Sequence, residues 1–100
     1  MFIDNIEEMV ASEHSVIALF TAPWCGPCKV FKPLFKVWGD GNPQHFWCMV
    51  DLDEHMEAAS MFGVVSVPTV VRFVDGVEVS RTVGAVGVEK FFVAHDVKNV

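Results

Sequence analysis

Apolar residues fall along this chain in two rhythms. Ser15 to Thr21 is apolar, rich in β-formers and nearly unbroken, the pattern of a strand covered on both faces and therefore central in a sheet. From Cys25 or Gly26 to Trp38 the rhythm changes. Val30, Phe31, Leu34, Phe35 and Trp38 recur at helical spacing with Lys29, Lys32 and Lys36 between them, which predicts an amphipathic helix with those five residues inward and the lysines solvated. Pro33 inside the pattern is expected to kink it.

The remaining elements follow from the same two rhythms and their punctuation. Met1 to Ile3 can add a short edge. Asn5 or Asp4 is placed to cap a helix over Ile6 to Ser12, with Ile6, Met9 and Val10 on its buried side. Gly39-Asp40-Gly41-Asn42-Pro43 predicts a turn, and Gln44 to Asp51 the next strand. Asp53 is expected to cap a helix from Glu54 to Phe62 with Met56, Ala59 and Phe62 inward, stopped by Gly63. Val64 to Val67 leads in extended form to Pro68. Thr69 to Val74 and Glu78 to Val83 flank Asp75-Gly76-Val77, a hairpin signal, with Val70 or Val71 and Phe73 facing in. Gly84 to Gly87 reads as a loop, and Val88 to Val97 as a last helix with Val88, Phe91, Phe92 and His95 on its apolar side. The order (β)αβαβαββα predicts an α/β fold. Its expected form is a four- or five-stranded mixed sheet with helices on both faces, parallel through right-handed crossovers and antiparallel at the hairpin.

Composition narrows this. One hundred residues, 52% of them hydrophobic, suit one domain, residues 1–100, with one core. A net charge of −6 argues against nucleic-acid backbones and anionic membranes as direct partners. No apolar run is long enough to cross a bilayer, and the acidic start lacks a signal peptide's basic region, so a cytoplasmic protein is expected. His14 and His45 read as solvated loop residues, His55 and His95 as packing or surface groups.

Candidate chemistry sits at the junction of the two strongest patterns. Cys25-Gly26-Pro27-Cys28 lies between the apolar strand and the helix, and a Cys-x-x-Cys in that position is a redox motif. Pro27, with no N–H and a preset φ, fits a first helical turn. Cys25 is then at the helix mouth and Cys28 one turn in, on the same face and within bonding reach. First-turn N–H groups and the helix dipole favour an anion at the mouth, so Cys25 is the sulfur expected to be accessible and thiolate-prone, and Cys28 the buried one. A zinc site needs four ligands, and the four histidines show no spacing matched to the single pair, so no metal is expected. Cys48, in Phe46-Trp47-Cys48-Met49-Val50, reads as a small buried hydrophobe.

Trp24-Cys25-Gly26-Pro27-Cys28-Lys29 resembles the active site of the thioredoxin family letter for letter. Pro33, the segment Val67-Pro68-Thr69 and the pair Gly84-Ala85 match three further family features at matching spacing, so the resemblance covers nearly the whole chain. It implies the thioredoxin fold and a protein disulfide reductase. Cys25 would attack a target disulfide and Cys28 would resolve the mixed disulfide. The resemblance implies no cofactor of the chain's own, the partners being disulfide-containing target proteins and a thioredoxin reductase that consumes NADPH. It further implies that Pro68 follows a cis bond and packs on the sulfurs, and that the Val67 backbone pairs with an extended target. Trp24, Gly26 and Pro27 would form one wall of the substrate groove and Gly84 and Ala85 the other. Gly-Pro between the cysteines resembles reducing members of the family.

Two rival readings are a thioredoxin-fold binding subunit of another enzyme and a disulfide oxidase or isomerase; a monomer is the default state. Several positions depart from the family. Leu19 stands where a buried Asp is usual and Met49 where its Lys partner is usual, which removes the proton acceptor assigned to Cys28 and predicts slower resolution. Thr21 replaces an aromatic and Ser66 a glycine, and both are expected to alter the rim.

Overall fold

The structure, a computed structural model, describes residues 2–84. Seven elements follow one another: α1 (Ile6–Ser12), β1 (Ser15–Thr21), α2 (Gly26–Gly41), β2 (Phe46–Asp51), α3 (Met56–Met61), β3 (Thr69–Val74) and β4 (Val77–Val83). Among the described residues the strands form one four-stranded mixed sheet in the order β2-β1-β3-β4. Phe2 adds an isolated parallel bridge to Met49 at the open side of β2. The final helix expected over Val88 to Val97 lies outside the described residues.

β1 is central, and all seven of its residues are buried. Its side chains alternate between two layers. Val16, Ala18 and Phe20 pack with Cys48, Val50, Val71 and Phe73 under α1 and α3. Ile17 and Leu19 pack with Trp47, Met49, Val70 and Phe35 under α2. An unbroken apolar strand is what two covered faces require. It also explains why Val70 and Val71 both point into core, on opposite sides, where one or the other was expected.

Pairing corrects the expectation that every strand joined through a helix runs parallel, while the hairpin is antiparallel as expected. β1 runs parallel to β2, but β3 runs antiparallel to β1, and β4 antiparallel to β3. The reason lies in the connection from β2 to β3. A helix of α3's six residues rises about 9 Å, whereas a six-residue strand runs about 20 Å. The connection therefore stays at the end of the sheet where β2 leaves it. β3 starts there, with Thr69 beside Phe20, and must run back. This also brings the chain past the end of β1, where the two cysteines sit.

Several boundaries move for local reasons. α2 continues to Gly41, through the segment expected to turn, and the turn begins at Asn42. Gly39 is buried, and a Cβ there would stand 3.1 Å from the Trp47 ring, so glycine serves helix-to-sheet packing rather than a turn. Its inward face is Cys28, Phe31, Phe35 and Trp38; Val30, 61% exposed, and Leu34 face out. β2 begins at Phe46, two residues later than expected. Asn5 holds the N-cap position of α1 without a side-chain cap and reaches Glu8 instead. α3 begins at Met56 with Met56 exposed; Asp53 is not its cap, and the backbone N–H groups of Asp53 and Glu54 donate to the Asp51 carboxylate.

Gly63 does end α3. At φ +69° it lets its own N–H reach Ser60 O and the Val64 N–H reach Ala59 O, closing the helix. Arg81 of β4 secures that end, donating to the carbonyls of Gly63 and Phe62 and pairing with Glu78. The hairpin turn is two residues, Asp75 and Gly76, both at positive φ, so Val77 joins β4 opposite Val74.

Candidate functional site

The site is built at one end of the sheet, where β1 stops and α2 starts. Cys25 takes the N-cap position of α2 with extended φ and ψ, Pro27 falls in the first turn, and the Cys28 N–H donates to Cys25 Sγ at 3.2 Å. A sulfur thus occupies the place where a cap accepts a first-turn N–H. The two sulfurs are joined as a disulfide, with Cα atoms 5.3 Å apart. Cys28 is fully buried, as expected. Cys25 was expected to be accessible and is only 4% exposed in this oxidised form. Its sulfur is engaged by Cys28 and lies in a cluster with Ala22, against which Leu52 and Val67 pack. The exposed residues at this mouth are its neighbours, Pro23, Trp24, Gly26 and Pro27.

The chain brings the later candidates to the same place. The Val67–Pro68 peptide bond is cis, and Val67 packs on the cysteine cluster. Thr69 Oγ1 donates to Ser66 O, fixing the turn into β3. The Gly84 N–H donates to Pro68 O, which ties the end of β4 to the proline segment. Among the described residues nothing stands within 4 Å of where a Cβ would project at Gly26 or Gly84. Ala85 lies outside the described residues.

Trp24 is 64% exposed, and its indole N–H is shared by the two carboxylate oxygens of Asp53 at 3.0 and 3.1 Å. Asp53 was expected to cap a helix; instead it holds the ring of the residue next to Cys25. Leu52 against the cysteines and Asp53 on Trp24 are the two site residues that pattern reading did not find. Neither residue type nor spacing marks them, because their roles come from where β2 ends beside β1.

Beneath the site the interior is apolar. Leu19 and Met49 are register partners on adjacent strands and share one buried cluster. Thr21 is fully buried and so is no part of the rim; its hydroxyl has no hydrogen-bond partner among the described residues. The end residue of a central strand, flanked by Asp51 of β2, is covered whatever its polarity. Cys48 is a free buried thiol whose pKa burial pushes up to about 12. His45 is not solvated: it pairs with Ser15 Oγ at 2.7 Å and stands edge-on to Trp47. His14 is exposed and meets Asp75 at 2.6 Å.

The thioredoxin family model matches residues 2–95 of this chain. The chain belongs to the thioredoxin family. Thioredoxin of Chlamydia muridarum is 40% identical over 81 residues, 81% of this chain and 78% of that protein. Thioredoxin of Mycoplasma genitalium is 36% identical over 80 residues, 80% of this chain and 78% of that protein. Two solved structures superpose closely. Fasciola hepatica thioredoxin has a TM-score of 0.79 at 29% identity, covering 93% of this chain and 91% of its own. Malassezia sympodialis thioredoxin has 0.82 at 28%, covering 96% and 90%. The fold is the thioredoxin fold, and the chain is a thioredoxin-type protein disulfide reductase, a protein-disulfide oxidoreductase working through the Cys25/Cys28 pair. No described helix is long and apolar enough to cross a membrane.

Proposed function

We propose that Cys25 is the attacking sulfur and Cys28 the resolving one, in a single thioredoxin domain spanning residues 1–100. The observation that carries this reading is the capping sulfur: Cys25 Sγ accepts a first-turn N–H of α2, where negative charge is favoured. In the reduced protein the Cys25 thiolate attacks one sulfur of a target disulfide. A bond forms between Cys25 and that sulfur, and the target's other sulfur leaves as a thiolate. Cys28 then gives its proton to water or to the departing sulfur and attacks Cys25 Sγ. The target leaves with both sulfurs reduced, and the Cys25–Cys28 disulfide remains, having donated two electrons. A thioredoxin reductase returns them.

Trp24, Gly26 and Pro27 form one wall of the target groove, with Asp53 as the positioning residue for Trp24. Gly84 and Ala85 form the other, and the Val67 backbone pairs with an extended target segment. The space left over Gly26 and Gly84 among the described residues supports close approach of a partner's main chain. A monomer serving cytoplasmic electron transport and redox homeostasis suits a dithiol that works where thiols are kept reduced.

The test is a pair of single substitutions assayed on an interchain protein disulfide. Cys25→Ser should abolish reduction, and Cys28→Ser should accumulate a stable mixed disulfide with the target. A Cys28→Ser protein that captures nothing, or a Cys25→Ser protein that does, would reverse the two roles. Equilibration in glutathione buffers reads direction: a potential above that of glutathione would make the chain an oxidant.

A further inference from the structure

One side chain of β4 reaches the segment that leads from α3 to the cysteines. Arg81 stands opposite Val71 of β3, on the face of the sheet that α3 covers. Its guanidinium donates to Phe62 O and, at 3.0 Å, to Gly63 O. Phe62 is the cap residue of α3, whose carbonyl has no partner within the helix. Glu78 fixes the orientation of that guanidinium: its Oε2 accepts from Nε at 2.9 Å and its Oε1 from Nη2 at 2.7 Å, a two-pronged fork. Residues three apart on a regular strand face opposite sides of a sheet. These two share a side because β4 carries an extra residue. Ser80 pairs with Arg72 and Glu78 with Phe73, which leaves Val79 over. A bulge of this kind re-aims the side chains beside it. The Arg81 hydrogen bond also holds the Glu78 carboxyl below the usual carboxylate range, so both prongs are charged at neutral pH.

The same strand holds the far end of the segment, where the Gly84 N–H donates to Pro68 O at 2.8 Å. Between the two ties run Val64, which is buried, Val65 and Ser66, which are exposed, and Val67, which packs on the cysteine cluster. Resting on the reading above, in which a target strand pairs with the Val67 backbone, we propose that Arg81, locked by Glu78, is a positioning residue for target capture. It touches neither sulfur. It fixes where the Val67 backbone stands relative to Cys25, so that a target strand pairs with one while its disulfide meets the other. A misplacement of about 1 Å in such a group is enough to forfeit most of its contribution. Lysine replaces it only in part, since an ammonium lacks the planar fork that meets a carboxylate and two carbonyls together. The exchange step does not depend on this grip, because α2 places the sulfurs.

The experiment follows single turnovers of the reduced full chain with synthetic peptide disulfides over a range of concentrations. It reads a half-saturating concentration and a limiting rate. Each peptide is made with ordinary amides and with one backbone N-methyl group, placed in turn at the positions flanking the cysteine. A small aliphatic disulfide runs in parallel. In the wild type, N-methylation at one position should raise the half-saturating concentration about five- to tenfold, the worth of one hydrogen bond. Arg81→Met should raise it by a similar factor for the ordinary peptide and add little for the N-methylated one. The limiting rate and the small disulfide should not change. Arg81→Lys should recover part of the loss. Glu78→Gln, on an exposed side chain, should show the same split more weakly and reads it even where Arg81→Met does not fold. Ile17→Val, in the opposite layer, lowers stability away from the segment and should bind peptides as the wild type does. An Ile17→Val protein that loses affinity as Arg81→Met does would make the effect one of stability and overturn the proposal. An N-methyl effect of full size in Arg81→Met, or equal affinity of Arg81→Met and wild type, would overturn the positioning role and leave strand pairing standing. Indifference of the wild type to N-methylation at every position would overturn strand pairing, and the proposal with it.

Discussion

The floor and the rim of the redox site are built on opposite principles. Beneath the cysteines, β1 and β2 contribute Leu19 and Met49 face to face, and Phe35 of α2 and Val70 of β3 complete a layer without charge. At the rim an exposed carboxylate, Asp53, holds an exposed indole, Trp24. The interior is apolar and closely packed and the rim is polar and exposed, and few residues belong to both. Leu52 and Val67 are the exceptions, since both pack on the sulfurs at the boundary. The contrast teaches that the sulfurs are positioned by helix geometry and apolar packing, with no buried acid beside Leu19 among the described residues to move a proton.

The largest expected effect comes from placing a charge in the floor. Leu19→Asp should cost about 3–5 kcal/mol, the scale for an uncompensated buried charge. Adding Met49→Lys, its register partner, should recover part of that loss in urea titrations. Full recovery by the lysine would mean that the floor tolerates a pair as well as it tolerates apolar packing. The same contrast predicts that a pH–rate profile of the unaltered chain shows no carboxylate titration traceable to an interior acid.

Next comes the buried thiol in the opposite layer. Cys48 ionises near pH 9 when unfolded and near 12 when folded. Between those values the unfolded chain binds fewer protons, so stability falls as pH rises. The full contribution is present below pH 9 and is lost toward pH 12, at up to about 1.4 kcal/mol per pH unit. The chain has no tyrosine to confuse the measurement. Comparing urea midpoints of wild type and Cys48→Ala from pH 8 to 11 isolates it, and parallel slopes would show that Cys48 meets water in the native state.

A smaller effect, and one of opposite sign, is expected at Thr21. Its hydroxyl is buried without a partner among the described residues, and Thr21→Val should stabilise the fold by about 1 kcal/mol. A loss instead would reveal a hydrogen bond made in solution. Smallest in stability is the rim itself. Asp53→Ala should change the urea midpoint by less than about 0.5 kcal/mol, while shifting Trp24 fluorescence and slowing reduction of a protein disulfide by about two- to fivefold through loss of the ring's orientation. No change in either readout would mean that Asp53 does not position the ring.

Much of this was legible in the order of residues. β1 and α1 fall where pattern placed them, because an unbroken apolar run and an amphipathic turn each state their own environment. The sulfur pair, Pro27 at the helix start and Gly63 at a helix end follow from local backbone chemistry. The outward turn of Val30 and Leu34, the helical use of Gly39 and the burial of Thr21 were not legible, since each depends on what another element brings against it.

By itself, the sequence determined which residues could exchange electrons, which helix would carry them and which strand would be central; those are matters of spacing and local conformation. Tertiary structure alone decided that β3 runs antiparallel, and so that Val67 and Pro68 return to the cysteines from forty residues away. It also decided that Leu52 and Asp53 stand beside them. The physical reason is length: a connection through α3 too short to traverse the sheet must turn back at the end where it began, and that end is where the sulfurs are.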